Sequence, residues 1–442
     1  MKLKNKWFTS VHSICCGAAF LLLLVAVFLN MPLLAQQDIR VQITSGMPMI
    51  PVALPDFKMD SSIVGATDIK KEIYEVLWND LEYTRVFKVV PKEHYSYIQS
   101  FNQNNIRFKD WASIQADILI SGQVEVSVGD RIVFSIRVYD VKSEKFMFGR
   151  NFGGKKEFTR MIAHRAADEM MKYFGEKPFF NTKVAFVSTR DKNNEIYMMD
   201  YDGQRTRRIT FNTDIDVLPS WSADNEKVLY TTYRHNNPDL FMFYLYTGKT
   251  EMISNGGANY SADWSLENDT LVYTSTKSGN AEIYVKDLKT GKEKRLTFNP
   301  AIDTTASWSP NGQEIVFTSQ RSGTPQIYIM DKEGTNVRRI THDGNYHDSP
   351  AWSPDGTRII YVSRIEGNFD LFVYNLKDNT MTKLTEAQGR NENPTWSPDG
   401  RHVIFSSNRS GSAQLYSVDY DGANLKQLTS TGENKMPKWQ KR

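Results

Sequence analysis

The chain has 442 residues, 12% aromatic and 24% charged, enough apolar material for more than one buried core. Its formal charge of +3 resides in Lys2, Lys4 and Lys6; beyond residue 35 the 51 basic and 51 acidic side chains cancel, so there is no basic surplus of the kind that nucleic-acid binding needs. Both cysteines, Cys15 and Cys16, lie in the apolar N-terminal run, which excludes disulfides and thiolate metal sites from a chain that has lost that run.

The three lysines precede an uncharged stretch from Ile14 to Leu29, followed by Leu33-Leu34-Ala35 and a polar Gln36-Gln37. This basic, apolar, small-residue order predicts a secretory signal over 1–35 cut after Ala35. An uncleaved anchor is the competing reading, but a membrane span wants about 20 apolar residues and this run is shorter.

Residues 36–177 read as an α/β module. RVQITSG and MIPVALPDF have strand character, and ATDIKKEIYEVLWNDLEYT places Ile69, Ile73, Val76, Leu77 and Leu81 on one helical face. The stretch 117–152 alternates apolar and polar residues around Gly129-Asp130, predicting an antiparallel meander. FTRMIAHRAADEMMKYFG predicts a second amphipathic helix stopped by Gly175.

From 178 to 442 the chain repeats. Trp221, Trp264, Trp308, Trp352, Trp396 and Trp439 recur every 43 or 44 residues. Each of the first five is followed by a turn such as W-S-P-D-G, a run such as RIIYVSRI, a second run such as DLFVYN, and a short segment such as KLT. With the tryptophan segment nearest the axis, that makes four strands per unit, the composition of a β-propeller blade. KVAFVSTR, EIYMMD and RRIT lack a tryptophan strand before them, while Trp439 has no blade after it. Pairing the two ends predicts a six-bladed ring closed by strands from both ends of the segment, with no open sheet edge at the seam.

The repeat also singles out polar residues. Asp216, Asn259, Asp303, His347, Asn391 and Asn434 stand five residues before each tryptophan, with Thr304 and Asp348 one position later. A ring of carboxylates and amides at one mouth suits an inserted peptide or docked protein domain. The same side chains could instead cap their own turns, and one residue can do both. His342-Asp343 and His347-Asp348 raise the question of a metal, but no histidine at an equivalent repeat position completes a set, so neither metal nor cofactor is expected. Asp200-Tyr201-Asp202-Gly203 and Asp419-Tyr420-Asp421-Gly422 echo part of a calcium loop without its later ligands and are expected to be hairpin turns. The G-x-S-x-G nucleophile elbow of propeller peptidases is absent, and no catalytic residue is assigned.

A signal, the start DIRVQITSG, the segment PVALPDF, the strand QADILISGQV and six WSPDG-type blades together resemble the TolB family of the Tol-Pal envelope system. The resemblance covers the chain beyond Gln36. It implies a periplasmic adaptor without catalysis, which holds the peptidoglycan-associated lipoprotein Pal on the propeller face and supports outer-membrane integrity and constriction in cell division. It also implies that the N-terminal segment Asp38, Ile39, Arg40, Val41, Gln42, Ile43 and Thr44 contacts TolA; alternating Ile39, Val41 and Ile43 suit strand addition to a partner's sheet, or simply a first strand of the module. The segment Asn255-Gly256-Gly257-Ala258-Asn259 departs from the family expectation of a histidine near the mouth. A scaffold for another envelope complex, and a propeller hydrolase or lyase, are the alternative readings.

Overall fold

The computed structural model describes residues 49–441 apart from 61–64, 99–100, 102–104, 128–129, 268, 366 and 387. The expected signal, the segment Asp38–Thr44 and Gly129 lie outside the described residues. Strands β1 (Ile50–Ala53), β2 (Lys58–Asp60), β3 (Phe87–Val89), β4 (Ile118–Ser127), β5 (Arg131–Asp140) and β6 (Lys145–Lys155) form one sheet in the order β3-β1-β4-β5-β6, with β2 on β4. The β4-β5-β6 meander is antiparallel as the alternation predicts, while β1 pairs parallel with β3 and β4. MIPVALPDF is strand only as far as Ala53, because Leu54 turns away to accept the Tyr74 hydroxyl at 2.7 Å and Pro55 has no N–H for a ladder.

Helices α1 (Ala66–Tyr83), α2 (Phe108–Ser113) and α3 (Thr159–Tyr173) complete this part. The five apolar residues of the α1 stripe are all buried. Thr84 ends α1 because its Oγ1 accepts the N–H groups of Val86 and Phe87 at 3.0 and 3.2 Å, diverting them from helical partners. Gly175, at φ 79°, stops α3 in the left-handed region that only glycine enters without cost.

The remaining strands make six four-stranded antiparallel sheets. Blade 1 is the seam, combining 183–188, 195–200 and 207–208 with Asn434–Trp439; blades 2 to 6 begin at Asp216, Asn259, Asp303, His347 and Asn391. At the seam Asn434 pairs with Ser188 and Trp439 with Val184, so the two ends of the segment share one ladder. The tryptophans fill the gaps between blades: Trp221 packs on Ala185, Ile196 and Met198 of blade 1 as well as Val228 and Tyr230 of its own blade.

Every axial strand carries the same irregularity. Register shifts between its second and fifth residues, and the third residue is left-handed: Leu218, Ser261, Thr305, Ser349, Asn393 and Met436 have φ between 50° and 55°. This bulge is what admits Pro219, Pro350, Pro394 and Pro437 into a strand, since a proline cannot donate to a ladder.

Candidate protein-binding mouth and channel

The first residue of each axial strand does not face the channel. Asp216, Asn259, Asp303, Asn391 and Asn434 are fully buried and His347 nearly so. Asp303 accepts from the Arg321 guanidinium at 2.8 Å and Asp216 from Asn212 Nδ2 at 2.6 Å. Asn391 donates to Asp370 at 3.0 Å, Asn434 to Gln414 at 2.7 Å, and Asn259 accepts Ser275 Oγ at 2.7 Å. His347 donates from Nε2 to the Asp343 carbonyl rather than completing a metal set with His342. Burial pushes the Asp216 and Asp303 carboxyls up and the His347 imidazole down, as expected of side chains sealed inside a blade.

Strand alternation explains the placement, because successive side chains point to opposite sides. The ring one position later, Val217, Tyr260, Thr304, Asp348, Glu392 and Lys435, is half-buried, and its Asp348, Glu392 and Lys435 line the recess at the mouth. The structure thus brings Asp348 to the opening, leaves Thr304 half-buried at the equivalent position of blade 4 with its Oγ1 3.3 Å from Thr274 Oγ1, and turns the other six expected residues into braces beneath. Asp348 has a structural load as well: its Oδ1 accepts Thr305 Oγ1 at 3.0 Å, Thr318 Oγ1 at 2.9 Å and Ser349 N at 2.7 Å, tying blade 5 to blade 4.

Three cavities follow the axis. A 450 Å³ recess at the mouth, lined by Tyr346, Asp348, Glu392 and Lys435, shares Ser349, Asn393 and Met436 with a 100 Å³ channel. The channel in turn shares Ser307, Ala351 and Lys438 with a 70 Å³ cavity ringed by Trp308, Trp352, Trp396 and Trp439. Between the last two lies an ion cluster. Asp263 Oδ1 is 3.1 Å from Lys438 Nζ and 2.8 Å from Lys441 Nζ, and Oδ2 accepts Ser307 Oγ and Trp308 N at 3.0 Å. A sequence signal existed: the residue before each tryptophan is Ser220, Asp263, Ser307, Ala351, Thr395 and Lys438, with one acid and one base among small side chains.

The α/β part sits on the tryptophan end of the ring, leaving the mouth on the opposite face. Arg85 bonds Asp419 and Asp421 at 3.0 and 2.7 Å, Arg401 bonds Glu176 at 2.7 Å, and Tyr83 stacks on His402 at 4.0 Å. At the centre of this contact Asp80 of α1 accepts from Tyr201 Oη at 2.6 Å and His164 Nδ1 at 2.8 Å, all three buried. Burial works to lower the His164 pKa, but the Asp80 carboxylate outweighs it and holds His164 above its ordinary 6.5. Burial also pushes Asp80 up. A raised histidine stabilises the folded state fully below pH 6.5 and loses that contribution as pH climbs through the folded pKa. We therefore expect the melting temperature of the wild type to fall relative to His164→Gln as pH is raised from 6.5; a constant difference between the two curves would remove the charged pair from the account.

Among the described residues no group of three or more His, Cys, Asp or Glu is arranged to hold a metal ion, and no helix is long and apolar enough to cross a membrane.

A ring closed by its own two ends, one open polar mouth and an α/β part on the far face define the class: a six-bladed β-propeller joined to an α/β module. The sequence pattern described as the TolB amino-terminal domain matches residues 39–147, and the TolB beta propeller domain matches 171–367 and 346–442. The chain belongs to the TolB family. Curated relatives named Tol-Pal system protein TolB include one from Desulfosudis oleivorans, 32% identical over 54% of this chain and 56% of that protein, and one from Cereibacter sphaeroides, 34% identical over 51% of each. The chain thus matches about half the length of these relatives. The crystal structure of TolB from Acinetobacter baumannii shares the fold with a TM-score of 0.77 at 24% identity, covering 90% of this chain and 98% of that one.

Proposed function

We propose that the chain is a non-catalytic periplasmic adaptor of a Tol-Pal system, exported by residues 1–35 and working as an α/β domain over 36–177 with a propeller over 178–442. In this reading the mouth receives the lipoprotein Pal, residues 38–44 engage TolA, and the pair of contacts supports outer-membrane integrity and constriction at division. The observation that carries it is the recessed 450 Å³ mouth on the face left free by the α/β part, in a chain of the TolB family. Its lining mixes aromatic Tyr346 and Phe369 with Asp348, Glu392 and Lys435, the blend of anchors and polar groups found at the centres of protein interfaces.

Calorimetry of the purified full chain with purified Pal tests the reading, and an absence of binding would end it. Glu392→Ala is expected to weaken Pal binding about tenfold or more without shifting the melting temperature, since its pair with Arg390 is exposed. Asp348→Ala is expected to behave differently and lower folding stability by about 1–2 kcal/mol, because the Thr305, Thr318 and Tyr346 hydroxyls and the Ser349 N–H lose an acceptor. Equal melting curves for Asp348→Ala and wild type would show that those bonds are dispensable. For residues 38–44, deletion of the segment should abolish capture of TolA while leaving Pal binding intact.

A further inference from the structure

The channel beneath the mouth has charge to spare. Of the residues lining it, Asp263 and Lys438 are the charged ones. Asp263 is saturated, since its two oxygens take Lys441 Nζ at 2.8 and 2.9 Å, Ser307 Oγ and Trp308 N at 3.0 Å, and Lys438 Nζ at 3.1 Å. Lys438 is not: an ammonium has three donors, and Asp263 is its one ionic partner among the described residues. Two lysines against one carboxylate leave the floor with a side-chain charge of +1. The cations at the mouth are already paired, Lys435 with Glu433 at 2.6 Å and Arg390 with Glu392 at 2.7 Å, while Asp348 there is held by hydroxyls and an N–H alone, so the unmet positive charge is at the bottom. Lys438 is half-buried, its side chain 22% exposed, and a cation with free donors in a narrow, partly dehydrated channel binds an anion better than the same group does in bulk water.

We propose that the channel floor is a carboxylate-binding site, with Lys438 Nζ donating to an acidic group that enters from the mouth. Size narrows the ligand further. The 100 Å³ channel admits a single side chain or chain end and no folded element. From the mouth ring at Asp348 to the level of Lys438 is three strand residues, about 10 Å, so the carboxylate must project from the tip of a loop or peptide. That the carrier is the protein docked at the mouth rests on the proposed function; the chemistry of the floor does not.

The test uses the full chain with carbon-labelled lysine, following the Lys438 ε-carbon signal by NMR and assigning it by its loss in Lys438→Gln. Two probes carry the two kinds of carboxylate: N-acetylglycine offers a chain terminus and the amide of N-acetylglutamate offers a side chain. The amide of N-acetylglutamine is their neutral counterpart. Both acidic probes, or one of them, are expected to move the Lys438 signal saturably at concentrations about tenfold or more below those that move exposed lysines such as Lys71. The tighter of the two identifies the source. The neutral probe should leave the signal in place, and Lys438→Arg should keep binding by calorimetry while Lys438→Gln loses it. Lys441 still neutralises Asp263 in these variants, so the fold is retained and a melting curve verifies it. No movement with either acid, or equal movement with the glutamine probe, overturns the site and leaves the adaptor reading standing. Response to the acids in a protein that fails to bind Pal overturns the adaptor reading and leaves the site standing.

Discussion

Trp439→Ala is expected to lower the folding stability of the chain by about 3–5 kcal/mol, the cost of deleting a fully buried large aromatic. The position is harsher than that figure implies. Trp439 is 1% exposed, its indole N–H donates to Thr182 Oγ1 at 2.8 Å, its backbone N–H donates to Thr395 Oγ1 at 3.1 Å, and its ring lies among Phe179 and Tyr201. It is also the last residue of the strand that closes blade 1, where Gln440 N–H reaches the Lys183 carbonyl at 2.9 Å and Gln440 Oε1 accepts Lys183 N–H at 2.7 Å. Loosening that strand exposes the edge of 183–188 to other chains. The same truncation at Trp352 removes comparable area inside an unbroken blade, so Trp352→Ala should lose a similar stability without the seam's tendency to aggregate. Denaturant unfolding of both variants, with light scattering alongside, makes the comparison. A loss under about 1 kcal/mol at Trp439, or scattering equal for the two, would show that closure does not depend on this strand.

Asp263→Ala is expected to cost a further large amount, about 2–4 kcal/mol, because it leaves the half-buried Lys441 and Lys438 without a counter-charge and the Ser307 hydroxyl and Trp308 N–H without an acceptor. Asp263→Asn should cost less, since the amide still accepts from Ser307 and Trp308. Burial alone would push the Asp263 carboxyl up, but Lys438 and Lys441 hold it far below the usual carboxylate range. A depressed acid contributes stability above its unfolded value of 3.8, and that contribution is lost as pH falls through the folded value. Wild type and Asp263→Asn should therefore differ fully at neutral pH and begin to converge only below about pH 4. Convergence already near pH 6 would mean that the cluster is not an ion pair. Because Lys441 also donates to the Trp264 carbonyl at 3.0 Å, the same cluster ties the end of the chain to blade 3 across the ring.

How far the sequence reaches can be judged from particular residues. The helical face of Ile69, Ile73, Val76, Leu77 and Leu81 is legible because a helix repeats every few residues, and those positions are buried as the spacing predicts. Gly175 and the W-S-P-D-G turns are legible for the same local reason, with Gly356 and Gly400 at φ 71° where an L side chain would be strained. Asp348 reaches the mouth and Thr304 holds the equivalent half-buried position, but the six residues beside them in the repeat are sealed inside the blades. Counting residues placed all eight at the start of the axial strand; it could not say which way the strand's pleat turned there. The bulge at each third residue, left-handed even at Thr305 and Leu218, is invisible in composition because neither residue type favours that conformation.

The sequence by itself determined the number of blades, the strands within them and the closure of the ring, because each follows from a period that local chain geometry enforces. Only the tertiary structure decided that Asp263 meets Lys438 and Lys441, and that Asp80 meets His164 and Tyr201. Those partners lie tens to well over a hundred residues apart; the repeat marks Asp263 and Lys438 as the acid and the base before their tryptophans, but does not specify that they meet, and it is silent on the others. They are brought together by ring closure and by docking of the α/β part, and once buried they must be paired because an unpaired charge in the interior is too costly to persist.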